Sequence, residues 1–451
     1  MLRDVLTSVR RRRLADPHAW AGRLVVWCGA IVVGLAVVAF ARFSELAYQM
    51  FTQLWALWFW LPLVMTPAVG IAAVWLTRCC FTGAEGGGIP QVIAAADDGL
   101  VEADKRRFVS IRIAIGKLAL VLLALVGGFS VGREGPSVQI GASLLHASRR
   151  LLPAGFAMDA RNLLVAGGAA GMAAAFNTPL AGIIFAIEQL ARRFETRTNG
   201  VLIAAIVWAG LVSLGLLGNY TYFGRLFVGE VGFSIVPVLI LAGTLCGLAG
   251  GLFARLLLDG IARIPWLANV QSRHPLVLAA ACGLGVAVLG LATAGATFGG
   301  GYETTRNMLA GDLTAPWYYS IARFAATLLM ALSGMPGGIF APSLAVGAGI
   351  GDGLATLAPG TVSAAAVIAL CMTAYLAAVT NAPLTSFIVV MEMVDGHAMV
   401  LSLMAVAMVA NLVARLVSPP LYETLAERML TRIRTNEAAG KPKEQSIDAG
   451  P

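Results

Sequence analysis

The sequence predicts an all-α polytopic membrane protein built from two repeats of tilted and broken helices. Three observations carry that prediction. The chain of 451 residues is 58% hydrophobic, with a mean hydropathy of +0.81. Its 12% of charged residues is about half the share of an ordinary soluble domain, which excludes a soluble enzyme, a disordered chain and a nucleic-acid-binding module. Apolar runs long enough to cross or enter a bilayer recur throughout, and two stretches of the chain repeat each other in order.

Taken in order, the apolar runs lie near 24–41, 55–77, 113–131, 162–190, 201–217, 234–258, 276–297, 319–333, 338–358, 364–394 and 398–417. A spanning helix needs about 20 residues, so several runs are too short or too long for one simple crossing. Glycine and proline interrupt them at Gly86-Gly87-Gly88, Gly127-Gly128, Gly132 to Pro136, Gly299-Gly300-Gly301 and Gly334 to Pro342. Broken backbone is tolerated in lipid only where protein buries it or where it lines an aqueous cavity. These breaks therefore mark a pathway and not the lipid face.

The formal charge of +8 does not signal a nucleic-acid partner, because the cations sit where a membrane protein holds them. They cluster at Arg10 to Arg13, in the short loops Lys105-Arg106-Arg107, Arg149-Arg150 and Arg192-Arg193, and after Arg428. Basic termini place both ends in the cytoplasm, which requires an even number of crossings. The arginine-rich leader runs into the first apolar segment without a cleavage-site pattern, so no removable signal peptide is expected. The expected layout is a basic cytoplasmic segment at 1–23, a first membrane repeat at 24–230, a second at 231–420, a C-terminal helix at 421–435 and a disordered cytoplasmic tail at 436–451. An Ala/Arg-rich chain without a regulatory tail is expected in a bacterial inner membrane. Six cysteines without disulfide or zinc-ligand spacing read as reduced, buried fillers. Four scattered histidines make a metal site unexpected, and no cofactor is expected.

The repeat is the most informative feature. Lys117 … Gly132-Arg133-Glu134-Gly135-Pro136-Ser137 … Gly141-Ala142 matches Arg323 … Gly338-Ile339-Phe340-Ala341-Pro342-Ser343 … Gly347-Ala348 at an offset of 206. Asn177-Thr178-Pro179-Leu180 … Glu188 matches Asn381-Ala382-Pro383-Leu384 … Glu392 at an offset of 204. The glycine triplets at 86–88 and 299–301 form a weaker third pair. Duplicated halves with broken helices at matching positions point to a site between the halves. Lys117 and Arg323, equivalent residues at the starts of apolar helices, are expected to snorkel to the interface.

In both copies a Gly-rich turn leads into a Pro-Ser at a helix start, where proline's missing N–H costs nothing. A helix start buried in the membrane exposes N–H donors and a partial positive charge, and an anion satisfies both. Two such starts would converge on one anion without full positive charges. A cation pathway would want carboxylates, and the apolar regions hold few. Glu134 is the exception, and an ionisable residue in the membrane interior is a functional candidate. Its carboxylate fits the same N–H cradle as the anion, a tethered competitor whose protonation would act as a gate. The residues alone leave a structural Arg133–Glu134 pair at an interface equally open.

These residues resemble the CLC chloride channel and transporter family. The resemblance rests on Gly132-Arg133-Glu134-Gly135-Pro136, Gly338-Ile339-Phe340-Ala341-Pro342, the Phe176-Asn177 … Pro179-Leu180-Ala181-Gly182 run and Tyr422 in Pro420-Leu421-Tyr422, and covers roughly residues 80–425. It implies two inverted-topology repeats and a homodimer with a separate pore in each subunit. It further implies Glu134 as the gating glutamate, Ile339 and Phe340 as backbone donors to a central anion, and Tyr422 as a hydroxyl donor to it. Arg133, Gly135 and Ala341 fall on the outer part of the site, and Gly87 and Gly88 on the loop of the family's first motif. Without the family, Tyr422 reads first as an interfacial anchor and Phe340 as ordinary packing.

Three departures from the family matter. The first motif usually reads Gly-Ser-Gly-Ile-Pro-Glu, and here it is Gly86-Gly87-Gly88-Ile89-Pro90-Gln91, so Gly87 has no hydroxyl for the anion. Relatives vary this position with anion preference, which leaves nitrate open beside chloride. Gln91 replaces an acid. Gln189 stands where proton-exchanging relatives commonly carry a glutamate, and an amide does not titrate. Glu188 is adjacent, but one helix residue is about 100° around the axis, so it should face elsewhere. Its repetition as Glu392 favours a structural role.

The expected function is passage of chloride or a similar small anion, gated by Glu134 and weakly or not coupled to protons. The alternative is chloride/proton exchange by the same site; a fluoride transporter fits less well. The expected partners are the anion, protons if coupled, membrane lipid and a second copy of the chain. An intramembrane enzyme would want a Ser/His or paired-acid constellation, and no histidine falls at a motif. A non-transporting scaffold would have no use for two converging broken helices and a buried acid.

Overall fold

The computed structural model describes residues 17–154, 156, 158–191, 199–218, 222–224, 235–260, 263–312, 315–357 and 362–440. The leader arginines Arg10 to Arg13, the Arg192-Arg193 loop and the tail from 441 lie outside the described residues. Among the described residues the chain is helical, with one isolated backbone bridge in place of a sheet. The first half runs α1 (Pro17–Leu57), α2 (Pro62–Cys80), α3 (Ile89–Ala95), α4 (Glu102–Phe108), α5 (Ile111–Val126), α6 (Glu134–Ala147), α7 (Ala160–Phe176), α8 (Pro179–Phe185) and α9 (Asn199–Leu217). The second runs α10 (Ile235–Asp259), α11 (Pro265–Arg273), α12 (Pro275–Ala292), α13 (Tyr302–Ala310), α14 (Tyr319–Leu332), α15 (Phe340–Leu357), α16 (Ala364–Thr380), α17 (Pro383–Met393) and α18 (Val400–Val417). The C-terminal α19 (Leu421–Gly440) runs into the stretch expected to be disordered, where Glu437-Ala438-Ala439 are good helix formers. Eight helical stretches among the described residues are long and apolar enough to span a bilayer. α1, with 41 residues, is about 60 Å long, so it must tilt steeply or run past a hydrocarbon core of about 30 Å.

The apolar runs at 162–190 and 364–394 are each two helices. Asn177 and Asn381, with φ of 59° and 54°, end α7 and α16 in the left-handed conformation that asparagine tolerates. Pro179 and Pro383 then open α8 and α17 at the first turn, where proline is at home. The glycine triplets match as well. Gly86 and Gly299 have φ of 62° and 61°, and Gly88 and Gly301 have φ of 97° and 82°. A left-handed residue just before a helix start needs no Cβ, so both loops are built on glycine.

One continuous apolar core runs through both halves. α7 is buried from Leu163 to Phe176 and α16 from Ala366 to Thr380, with small side chains on every face. α15 packs on α16 almost backbone to backbone: a Cβ on Gly347 would stand 2.6 Å from the Cys371 carbonyl oxygen. This is the small-residue packing that helices use in lipid, where apolar burial alone does not hold helix to helix. Outward faces carry large exposed apolar residues such as Leu35, Phe43, Trp75, Ile240 and Leu412. All six cysteines are free; Cys246, Cys282 and Cys371 are buried as expected, whereas Cys28 and Cys79 are exposed on outward helix faces.

Candidate anion site

The two helix-start motifs meet at the centre. Gly132 N–H donates to the Gly338 carbonyl at 2.8 Å, and Gly338 N–H returns the bond to Gly132 at 2.9 Å. These are the repeat-equivalent residues, so each copy satisfies the other's broken backbone and α6 and α15 start side by side. Gly337 N–H donates to Gly86 O at 3.0 Å and brings the first glycine loop to the same place. The approach is too close for side chains. A Cβ on Gly135 would stand 2.6 Å from Gly87 O, and one on Gly338 would stand 2.8 Å from Gly132 O.

Glu134 is 1% exposed, and its carboxylate faces the backbone N–H groups of Arg133, Glu134 and Ala341. Donors from both helix starts thus converge on one anionic group. Ile339 and Phe340 are buried beside it, and the Phe340 ring sits 6.0 Å from that of Phe176, the last residue of α7. Tyr422, expected from residue type alone to be an interfacial anchor, is 3% exposed and within electrostatic range of Glu134. The start of α19 therefore turns inward to the centre and not along an interface.

Two cavities lie at the site: one lined by Glu134, on the side taken as outer, and one lined by Tyr422 but not by Glu134, on the side taken as inner. The outer one, about 400 Å³, is lined by Arg133, Glu134, Ala341, Glu45, Tyr302 and Glu303 among others. Arg133 does not act simply as a partner for Glu134. Its guanidinium donates to Ala41 O at 2.9 Å and to Glu45 at 3.4 Å, and it lies 5.9 Å from the Tyr222 ring centre. Sequence reasoning missed Glu45, which sits in α1 with no motif around it. The inner cavity, about 540 Å³, is lined by Gln189, Tyr422, Glu188, Arg415, Asn381 and Glu423 among others. Gln189 donates to Thr380 O at 3.4 Å.

Glu188 has the structural task its repetition suggested. Its two carboxylate oxygens accept from Leu384 N–H at 2.9 Å and Thr385 N–H at 2.6 Å, so it caps the start of α17 in the opposite half. Gln91 is tied into its own loop, donating to Glu85 O.

The expectation that Lys117 and Arg323 snorkel is overturned: both are 0% exposed. Lys117 Nζ donates to the carbonyls of Ala84, Glu85 and Gly86 at 2.7, 3.4 and 2.7 Å. Arg323 Nη1 donates to those of Thr297, Phe298 and Gly299 at 2.6, 3.4 and 2.9 Å. The two carbonyl triplets are equivalent in the repeat, each ending at the first glycine of its triplet. Each cation supplies donors to a loop whose carbonyls point away from any helix ladder, and such groups in a membrane protein need internal partners.

Gly87 tests the anion preference. Its φ is not left-handed, and a Cβ there would have its nearest contact at 3.8 Å, so serine fits without strain. Gly87→Ser is expected to add a hydroxyl donor and to tighten chloride binding about fivefold relative to nitrate, roughly one neutral hydrogen bond's worth. Titration calorimetry with the two anions reads this directly. An unchanged ratio would remove Gly87 from the anion's surroundings.

Opposed broken helices, a buried cradle of N–H donors and the cavities beside it have the architecture of a membrane transport protein built from two inverted repeats. The sequence matches the family described as voltage gated chloride channel over residues 69–415, and the chain belongs to that family. It is 32% identical over 411 residues to the H(+)/Cl(-) exchange transporter ClcA of Salmonella agona, covering 88% of this chain and 83% of that one. The ClcA of Citrobacter koseri is 32% identical over 404 residues, covering 86% and 82%. Among solved structures, a slow cyanobacterial Cl-/H+ antiporter superposes with a TM-score of 0.78 at 26% identity, covering 91% of this chain and 99% of that one. A CLC-type fluoride/proton antiporter shares the fold, with a TM-score of 0.72 at 21% identity over 89% of this chain and 96% of that one. The chain is an integral multi-pass membrane protein of an anion-transporting family.

Proposed function

We propose that this protein exchanges chloride for protons across the membrane, with Glu134 as the group that both carries the proton and competes with the anion. The carrying observation is the Glu134 carboxylate in a cradle of N–H donors from two opposed helix starts, with an outer cavity that it lines and an inner one lined by Tyr422. An anion and a carboxylate make the same demand on that cradle, so occupancy alternates: a proton on Glu134 releases it, and chloride takes its place. Ile339 and Phe340 N–H groups and the Tyr422 hydroxyl are the donors we assign to the central anion, with Arg133, Gly135 and Ala341 on the outer approach and Gly87 and Gly88 on the first loop. The relatives named as exchangers favour coupling over the weakly coupled conduction that Gln189 suggests. Conduction without protons stays the second reading, because the amide of Gln189 lines the inner cavity where a proton must enter.

The test is purified protein in liposomes under an outward chloride gradient, with chloride efflux and internal pH recorded together. Exchange predicts uphill proton entry in fixed ratio to chloride. Chloride efflux with no proton movement would establish the second reading.

A further inference from the structure

Gln189 does not titrate, so a proton entering from the inner side needs another way towards Glu134. We propose that Glu423, in the first turn of α19, takes the proton from the inner solution and passes it through the inner cavity towards Glu134. This rests on the exchange reading above.

Glu423 and Glu188 are the carboxylates among the described residues lining the cavity that also holds Gln189 and Tyr422. Glu188 is committed. Both of its oxygens accept N–H bonds from the start of α17, and a proton on it would remove an acceptor from a helix start. The remaining charged group on this cavity, Arg415, stays protonated and relays nothing. Glu423 is exposed, so its carboxylate is in reach of the solution.

Its position links two spaces. Besides the inner cavity, Glu423 lines a second one of about 630 Å³ with Asp97, Asp98, Arg161, Glu427 and Arg434. There Asp98 pairs with Arg161 at 3.0 Å and Asp97 with Arg434 at 3.5 Å, and neither aspartate lines the inner cavity. Glu427 lies one helix turn further along α19 and lines the second cavity but not the inner one. Glu423 is the acid common to both. It follows Tyr422 directly, so its Cα is about 3.8 Å from that of the residue within range of Glu134, while the helix turns its side chain about 100° away from that of Tyr422. The proton adds to one carboxylate oxygen of Glu423, leaves it for water in a cavity with room for a chain of several molecules that reaches Tyr422, and crosses from there to the Glu134 carboxylate within range of that tyrosine. Glu423 is returned to its anion for the next cycle.

Glu423→Gln in liposomes is expected to lower uphill proton entry at least tenfold while chloride efflux continues, so that the chloride-to-proton ratio rises. Glu427→Gln should keep the wild-type ratio. Adding Gln189→Glu to the Glu423→Gln protein should bring proton entry back to at least half, which shows that the loss came from proton delivery and not from damage to the fold. Wild-type coupling in Glu423→Gln would overturn the assignment of Glu423 while leaving exchange intact. Absence of proton movement in the unmodified protein would overturn exchange itself, and this assignment with it.

Discussion

Glu134→Gln is expected to abolish proton movement, by at least a hundredfold, and to leave chloride efflux independent of pH between 4 and 8. Glutamine has the size of glutamate and, like its protonated form, carries no charge. The backbone N–H groups of Arg133, Glu134 and Ala341 that face the carboxylate favour a charged acceptor over an amide, because charge-assisted hydrogen bonds are about twice as strong as neutral ones. An amide at 134 competes weakly with chloride for those donors and carries no proton between the cavities. In the unmodified protein the sign runs the other way: acid protonates the carboxylate, removes the competitor and speeds anion passage, so efflux rises as pH falls. The variant should show the acid rate at every pH. Efflux from liposomes at a series of pH values reads this. A pH-dependent efflux in Glu134→Gln equal to that of the parent would remove Glu134 from the gate.

The second large effect concerns the twin buried cations. Lys117→Met should destabilise the fold by about 3 kcal/mol, because three loop carbonyls lose their donor in a place where water does not replace it. Methionine matches the length of the lysine stem, so the loss is of charge and hydrogen bonds and not of volume. One of the three carbonyls belongs to Gly86, next to Gly87, which we assign to the anion's surroundings, so the same change should lower chloride flux at least tenfold. Arg323→Met removes the matching support from Thr297 to Gly299 and should destabilise by a similar amount. Thermal unfolding in detergent and liposome flux measure the two effects separately. A parental melting temperature in Lys117→Met would show that this loop holds itself.

Much of this site was legible in sequence because its chemistry lies in local backbone. A Gly-rich break before Pro-Ser declares a helix start, and its recurrence at Gly132 and Gly338 locates two of them without any knowledge of contacts. The breaks at Asn177-Thr178-Pro179 and Asn381-Ala382-Pro383 are likewise local, although they were expected within single apolar runs until the left-handed asparagines divided them. Side chains whose partners are far along the chain were not legible. Lys117 reaches a loop about 30 residues away and Arg133 an acid 88 residues away, and nothing in the sequence around Glu45 announces a role. Residue type even misled for Lys117 and Arg323. A lysine or arginine at the start of an apolar helix usually reaches for water, and here each reaches for carbonyls instead.

The sequence alone thus determined what repeats and what is broken: an all-α membrane chain, two copies of a helix-start motif, one acid inside it and an amide where a carboxylate was expected. The helices, the repeat and the acid follow from composition, periodicity and the backbone preferences of glycine, proline and asparagine, which act over a few residues; the amide stands out only against the family that the sequence resembles. Only the tertiary structure decided that Gly132 and Gly338 bond to each other, that Tyr422 returns to Glu134 from the end of the membrane region, and that Glu423 stands on the same cavity as Gln189. Those pairings depend on how helices of opposed halves pack. In lipid that packing is set by the close fit of small residues and by the need to satisfy every buried polar group, neither of which is written at any single position.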